Sequence, residues 1–231
     1  MKILFFGDSI TDAERNRDAA NDSIKALGYG FVRVIADKLA EENPNKYTVI
    51  NRGVSGNRIV DLYARIKKDV WNEKPDVINI LVGVNDVWHE INSQNGVDVE
   101  RFEKVYRTLL EDTKKVLPNA KIILCEPFFL KGTATENIQE KPNKYACFCE
   151  VYEYAKVVEK LAREFNFPFV FLQAKLTEQS KKYGVEPYLY DGVHPNTAGA
   201  NLIANEWLKI FKNNQKANEK ALYNGNNGER I

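Results

Sequence analysis

Short apolar runs alternate with longer amphipathic stretches along most of the chain. Five runs of four to six residues are rich in β-branched and aromatic side chains, as buried parallel strands are; they cover residues 2–6, 47–50, 77–82, 121–125 and 169–172. Between them, apolar residues recur at three- and four-residue spacing among charged residues, which predicts helices over 29–42, 59–73, 99–117 and 145–165.

This alternation of strand and helix predicts one α/β domain. The connections are long enough for right-handed crossovers, so we expect a flavodoxin-like three-layer α/β/α sandwich around a five-stranded parallel sheet. A last helix over about residues 197–211 completes a domain that spans residues 1–212. Residues 213–231 are rich in Asn, Lys and Glu, and we expect them to form a tail that is mobile or binds a partner.

Polar loops that contain glycine follow the first three predicted strands. They read Gly7-Asp8-Ser9-Ile10-Thr11, Asn51-Arg52-Gly53-Val54-Ser55-Gly56-Asn57 and Gly83-Val84-Asn85-Asp86. In an open parallel sheet, ligands bind beyond the carboxyl ends of the strands. We therefore expect the three loops to converge on one edge of the sheet and to form a site there.

A fourth polar segment, Asp191-Gly192-Val193-His194-Pro195, precedes the last helix. A serine hydroxyl is a weak nucleophile at neutral pH unless a neighbouring base takes its proton. His194 suits this task because Asp191, three residues earlier, can orient the imidazole, and we take the other histidine, His89, as a residue of the pocket edge or the surface. The segments together predict a catalytic triad of Ser9, His194 and Asp191.

Attack by a serine on an ester carbonyl creates an oxyanion, which needs positioned hydrogen-bond donors. The loops offer the main-chain N–H groups of Ser9 and Gly56 and the side-chain amide of Asn85. Each residue also has a purely structural interpretation: Ser9 as a helix cap, Gly56 as a bend and Asn85 as a turn residue. The presence of all four segments favours the catalytic interpretation.

Charge and composition narrow the choice of partners. The 33 basic and 32 acidic side chains nearly cancel, so no overall field would attract nucleic acid or an anionic membrane. No window is apolar enough to cross a bilayer and the first residues do not form a signal-peptide core, so we expect a cytoplasmic protein. The three cysteines lack the spacing of a disulfide framework or a zinc site, and the predicted chemistry needs no metal or organic cofactor.

Four segments resemble, in order and spacing, the sequence blocks of SGNH (GDSL-like) hydrolases: Gly-Asp-Ser at 7–9, Gly56, Gly-x-Asn-Asp at 83–86 and Asp-x-x-His at 191–194. The resemblance covers residues 1 to about 212. It implies the SGNH hydrolase fold and an esterase with Ser9, Gly56 and Asn85 as oxyanion donors. Asp191 and His194 would then be the partners of Ser9.

Longer stretches resemble acetylxylan esterases and related carbohydrate deacetylases: Gly-Asp-Ser-Ile-Thr-Asp at 7–12, Asn-Arg-Gly-Val-Ser-Gly-Asn at 51–57, Gly-Val-Asn-Asp-Val-Trp at 83–88, Glu-Pro-Phe at 126–128 and Gly-Val-His-Pro at 192–195. This resemblance implies deacetylation of xylo-oligosaccharides or related sugars through an acetyl-Ser9 intermediate, and self-association into a homo-oligomer. We take Asp8, Trp88 and Tyr190 as candidate substrate-binding residues, with Trp88 able to stack on a sugar ring. Segment 133–143 and the tail lie outside the likeness.

Other functions remain open at this point. A lipase, lysophospholipase or thioesterase could use the same scaffold, because a fold and a triad do not fix the acyl group. A flavodoxin-like module that only binds a phosphate-containing ligand is a second alternative, but Asp8 would place a carboxylate beside the phosphate and no GxGxxG or GxxxxGK[ST] motif occurs. An inactive carbohydrate-binding relative is disfavoured because every residue of the four blocks is present.

Overall fold

The middle layer of the protein is a five-stranded parallel sheet with the order β2-β1-β3-β4-β5. The computed structural model describes residues 1–21, 23–136 and 143–226, with side chains up to Lys216. The strands are β1 (Lys2–Gly7), β2 (Thr48–Gly53), β3 (Val77–Leu81), β4 (Lys121–Cys125) and β5 (Phe169–Val170). The predicted α/β/α sandwich is confirmed.

Helices cover the sheet and surround its carboxyl edge. They are α1 (Ser9–Asp12), α2 (Phe31–Glu42), α3 (Ile59–Ile66), α4 (Val84–Ser93), α5 (Val99–Val116), α6 (Lys144–Phe148), α7 (Val151–Glu164), α8 (Gln173–Tyr183) and α9 (Thr197–Asn226). In the two helical layers, α2 packs against α9, and α5 packs against both α3 and α7. None of the described helices is long and apolar enough to span a membrane.

The core forms where the apolar strands β1 and β3 lie side by side at the centre of the sheet. Trp207 of α9 is fully buried, and its ring centroid lies 5.0 Å from that of Phe5 in β1. Its indole N–H donates to Asn79 Oδ1 in β3 at 2.9 Å, so the polar atom of the large side chain is satisfied inside the core. This contact fixes the last helix against the two central strands.

Several element boundaries differ from the sequence prediction. β5 has two residues, and the stretch predicted as one helix over 145–165 consists of α6 and α7, with a turn between them. α9 continues to Asn226 instead of ending near residue 211. Residues 213–226 contain no proline that would interrupt the helix, although five of these fourteen residues are Asn, which favours helix only weakly. The last part of the predicted tail, 227–231, and part of segment 133–143 lie outside the described residues.

Three helices, α1, α4 and α8, have no counterpart in the prediction. α4 begins at Val84, so Asn85 and Asp86 lie in the first turn of a helix and not in a loop. Among the residues of α8, only Leu176 is buried, so this helix lacks the apolar stripe by which a sequence reveals a helix. α4 follows β3 and α8 follows β5, so both begin at the carboxyl edge of the sheet. The polar residues of the third predicted loop are therefore presented by a helix, α4.

Candidate active site

Ser9 is the first residue of α1, directly beyond the carboxyl end of β1. Asp8 caps the helix, because its Oδ1 accepts a hydrogen bond from the N–H of Ile10 at 2.9 Å. Since β1 is flanked by β2 and β3, its end opens between the loops that follow those two strands. The serine is therefore held on a rigid element at the point where the predicted loops meet.

Ser9, His194 and Asp191 form a continuous hydrogen-bonded chain. The hydroxyl oxygen of Ser9 lies 2.9 Å from His194 Nε2, and His194 Nδ1 lies 2.7 Å from Asp191 Oδ2. With the ring proton on Nδ1 donated to the carboxylate, Nε2 is free to accept the serine proton. The structure thus brings the three predicted triad residues together in the order that proton transfer requires.

The loop of Asp191 and His194 is fixed by its own main chain and by the loop after β4. Asp191 Oδ1 accepts the N–H groups of Val193 at 2.9 Å and His194 at 2.8 Å, so the second carboxylate oxygen is left for the ring. The Asp191 carbonyl in turn accepts the N–H of Ala134 at 2.9 Å. α9 begins only at Thr197, so a turn, and not a helix, sets the spacing of acid and base.

The electrostatic environment suits a base and its orienting acid. Burial lowers the pKa of His194, but the hydrogen bond and charge of Asp191 and the charge of Asp8 raise it by more, so the pKa lies above its ordinary value. Burial raises the pKa of Asp191, but the hydrogen bonds from the ring and main chain of His194 and from Val193 lower it by more. Asp191 therefore stays ionised at neutral pH, and His194 accepts a proton readily.

The three predicted oxyanion donors come from the ends of β1, β2 and β3. Gly56 adopts φ +82°, which only glycine adopts without strain, and its N–H and that of Ser9 have no acceptor within the described part of the chain. Asn85 is buried and donates one amide hydrogen to the Asn57 carbonyl at 3.2 Å, which joins α4 to the Gly56 loop. Its other amide hydrogen is available to a ligand.

Asp12 organises the second loop, a role that the sequence analysis missed. Its Oδ2 accepts both the N–H and the hydroxyl of Ser55 at 3.0 Å, and Arg17 Nη2 lies 2.6 Å from the same oxygen. Asp12 is almost fully buried, and Ser55 immediately precedes Gly56. The position of Asp12, three residues after Ser9, gives no indication of this contact because the partner lies in a distant loop.

Two aromatic rings lie beside the catalytic imidazole. The ring centroid of Tyr190 is 5.7 Å from that of His194 with an interplanar angle of 18°, and that of Trp88 is 5.8 Å away at 46°. Trp88 also packs edge-on against Phe148 of α6, which fixes its position. The structure therefore places both predicted substrate-binding aromatics next to the base.

Asp8 does not fit its predicted role as a substrate-binding residue. Asp8 is only 1% exposed, so a bulky ligand has almost no access to its carboxyl group. The group instead caps α1. Burial raises its pKa to about 7, against weaker lowering by the Ile10 N–H and by the charge of His194. Asp86 is also structural: it is fully buried and accepts the N–H of Ile59 at the start of α3.

No group of three or more His, Cys, Asp or Glu residues in the described ranges is arranged to hold a metal ion. His89 lies on the rim of the site, where its Nε2 is 3.9 Å from the position a Cβ on Gly56 would occupy. The His89 ring has no hydrogen bond to a serine or a carboxylate within the described chain, whereas the His194 ring has both, so His194 is the candidate base.

Comparisons with known proteins agree with this geometry. The model of the GDSL-like Lipase/Acylhydrolase family matches residues 5–202. An acetylxylan esterase from Geobacillus stearothermophilus is 34% identical over 213 residues, which cover 90% of this chain and 92% of that protein. Its crystal structure superposes with a TM-score of 0.78 over 90% of this chain and 93% of that chain. A Parabacteroides merdae structure assigned as a GDSL-like lipase is 38% identical, with a TM-score of 0.82 over 90% and 94% of the two chains.

Proposed function

Because the chain belongs to the GDSL-like lipase/acylhydrolase family, we propose that it is an acetyl esterase that deacetylates xylo-oligosaccharides or closely related sugars. The observation that carries the proposal is the hydrogen-bonded chain from Ser9 through His194 to Asp191. Similarity to an acetylxylan esterase over 90% of the chain supports the acetyl group as the acyl substrate. The chain is a carboxylic ester hydrolase, and the sugar is the part that we propose.

In the first half-reaction, Ser9 Oγ attacks the acetyl carbonyl while its proton passes to His194 Nε2. The negative charge that develops on the carbonyl oxygen is stabilised by the N–H groups of Ser9 and Gly56 and by the Asn85 amide. The bond between the acyl carbon and the sugar oxygen then breaks, and that oxygen takes the proton from His194. The deacetylated sugar leaves, and an acetyl group remains on Ser9.

In the second half-reaction, water replaces the sugar. His194 Nε2 takes a proton from the water as its oxygen attacks the acetyl-Ser9 carbonyl, and the same donors stabilise the second oxyanion. The bond to Ser9 Oγ breaks and His194 returns the proton to that oxygen, which releases acetate. Asp191 remains ionised throughout and stabilises the imidazolium that forms in each half-reaction.

Substrate preference distinguishes this proposal from a lipase or thioesterase. The test measures kcat/KM for acetylated xylo-oligosaccharides and for the 4-nitrophenyl esters of acetate, butyrate and octanoate. We expect efficient release of acetate from the oligosaccharides and a preference for the acetate ester in the aryl series. An octanoate optimum would overturn the acetyl preference, and cleavage of the aryl acetate alone would overturn the sugar assignment.

Two further expectations accompany the proposed function. We propose that the protein acts in the cytoplasm on short imported oligosaccharides, which fractionation of expressing cells would test. We also propose that it self-associates, which light scattering of the purified protein would test. Recovery in the extracellular fraction would contradict the first expectation, and a monomer at micromolar concentration would contradict the second.

A further inference from the structure

Two exposed tyrosines and a carboxylate lie on one side of the triad, and the proposed reaction does not use them. Tyr190 is 49% exposed although one face of its ring lies against His194, and Tyr29 is 58% exposed. Glu14 is exposed as well, and its carboxylate has no hydrogen-bond or ion-pair partner in the described part of the chain. Exposed aromatic rings next to a reacting centre are candidates for substrate contact.

The main chain places Tyr29 and Glu14 at the end of the helix that begins with the nucleophile. Ala13 follows α1, its N–H donates to the Ser9 carbonyl at 3.0 Å, and its own carbonyl accepts the N–H of Tyr29 at 3.0 Å. Gly28 adopts φ +74°, and a Cβ there would lie 2.5 Å from the Ala13 carbonyl oxygen, so the Tyr29 loop packs tightly on this turn. Glu14 has a φ of +56°, in the left-handed region.

The charges of Tyr29 and Glu14 affect the pKa of Tyr190, and the charge of Glu14 affects the pKa of Tyr29. Burial raises the pKa of Tyr190, and the charges of Asp191, Tyr29 and Glu14 raise it further. Burial likewise raises the pKa of Tyr29, with a further contribution from the charge of Glu14. The hydrogen bonds that set Tyr29 and Glu14 at the end of α1 and the contact of the Tyr190 ring with His194, together with these charge effects, place the two phenols and the carboxylate on one surface beside the triad. We call it the Tyr29–Tyr190 surface.

We propose that the Tyr29–Tyr190 surface binds two successive sugar rings of an oligosaccharide, with the acetylated ring on Tyr190 and its neighbour on Tyr29. This inference rests on the proposed function. The apolar C–H face of a pyranose packs on an aromatic face, and the Glu14 carboxylate and the phenol hydroxyls supply hydrogen bonds to ring hydroxyls. A fatty acyl chain would gain from the rings but would desolvate Glu14 without a partner, so it fits less well.

Because Tyr29 lies away from the triad, its loss should affect only substrates long enough to reach it. We expect Tyr29→Ala to raise KM for acetylated xylotriose about threefold to tenfold, the range that one aromatic contact provides. kcat for the same substrate and all constants for 4-nitrophenyl acetate should stay within about twofold of wild type. Tyr29→Phe keeps the ring and should keep most of the affinity for acetylated xylotriose. Glu14→Gln should raise KM for the same substrate about threefold.

Tyr183→Ala is the matched control, because Tyr183 is 55% exposed but lies at the end of α8. It should leave both substrates unchanged. If the wild type deacetylates acetylated xylotriose and Tyr29→Ala has an unchanged KM for that substrate, the two-ring site is overturned while the proposed function stands. If the wild type cleaves the aryl acetate but not acetylated xylotriose, the proposed sugar substrate fails and the two-ring site fails with it. If Tyr29→Ala weakens octanoate hydrolysis instead, the surface binds acyl chains and not sugars.

Discussion

Replacing Asp12 by Asn tests whether the second loop is held in place for catalysis. The carboxylate oxygen Oδ2 accepts two hydrogen bonds from Ser55 and one from Arg17, and Arg15 Nε lies 3.9 Å from Oδ1. An asparagine amide has a single oxygen. If that oxygen faces Ser55, the NH₂ group faces the Arg15 guanidinium, and if the amide is flipped, the NH₂ group faces the N–H of Ser55.

Either orientation sets a donor against a donor in a buried site. A hydrogen bond to a charged group contributes about 1.5–3 kcal/mol to stability, so we expect Asp12→Asn to lower the free energy of unfolding by about 2 kcal/mol. The half-exposed Arg17 adds little to that figure because solvent screens its charge.

The catalytic effect follows from the position of Ser55 next to Gly56. Complete loss of one oxyanion donor typically costs about a hundredfold to a thousandfold in kcat. Other main-chain hydrogen bonds still hold the loop, such as that from the Val54 N–H to the Gly7 carbonyl at 3.0 Å. We therefore expect a partial displacement of the Gly56 N–H and a fall in kcat of about tenfold, with KM nearly unchanged.

The assay combines urea unfolding with steady-state hydrolysis of 4-nitrophenyl acetate at a temperature where every variant is folded. Ser55→Ala removes only the hydroxyl bond and should lower kcat by less than about threefold. Asp37→Asn is the control, since Asp37 is an exposed partner of Arg33 on α2. A stability loss in Asp12→Asn with wild-type kcat would refute the argument, because the loop would then keep its position without the carboxylate.

Three further substitutions probe the orientation of the base, the buried carboxyl group of Asp8 and the packing of α1. Asp191→Asn should lower kcat/KM by about four orders of magnitude and move the acid limb of its pH profile to lower pH, because Asp191 raises the pKa of His194; an unmoved limb would contradict this. Asp8→Asn keeps the cap and should also move that limb to lower pH. Folding raises the pKa of Asp8 from 3.8 to about 7, so the stability that its neutral carboxyl group contributes at low pH is lost as the pH rises through 7. Asp8→Asn cannot ionise, so its gain in stability over wild type should be larger at pH 8 than at pH 5. An equal gain at both pH values would count against this prediction. Gly53→Ala would place a Cβ 2.1 Å from the Asp12 nitrogen and should cost about 3 kcal/mol in urea unfolding, whereas a wild-type midpoint would show that α1 can shift.

The sheet could be predicted from sequence because parallel strands are buried on both faces and stand out as apolar runs. The runs that became β1 and β3 are the clearest examples, since every residue of β3 is buried. α8 could not be predicted, because a helix with one buried residue relies on its neighbours and not on its own pattern. The extension of α9 was missed because residues 213–226 are mostly polar, with five Asn and one Gly, and carry no apolar stripe of the kind that predicts a helix.

The triad residues could be proposed from sequence because each follows a strand or precedes the last helix in a short polar segment. Asn85 was placed in a loop, because Asn and Asp after a strand are typical of turns, although here they form the first turn of α4. Asp12 and Tyr29 could not be found in this way. Asp12 acts through its hydrogen bonds to Ser55, and Tyr29 is set at the end of α1 by its hydrogen bond to Ala13, and only the folded chain creates these contacts.

The central claim is that Ser9 carries the acetyl group, and release of acetate by Ser9→Ala tests it most directly. The measurement compares wild type, Ser9→Ala and the exposed control Ser93→Ala on 4-nitrophenyl acetate and acetylated xylotriose, with mass spectrometry of the rapidly quenched enzyme. We expect Ser9→Ala to lose at least about a thousandfold in kcat on both substrates, and only wild type and Ser93→Ala to carry an acetyl group on the peptide that contains residue 9. Acetate release by Ser9→Ala at the wild-type rate, or acetylation of a different peptide, would contradict the mechanism.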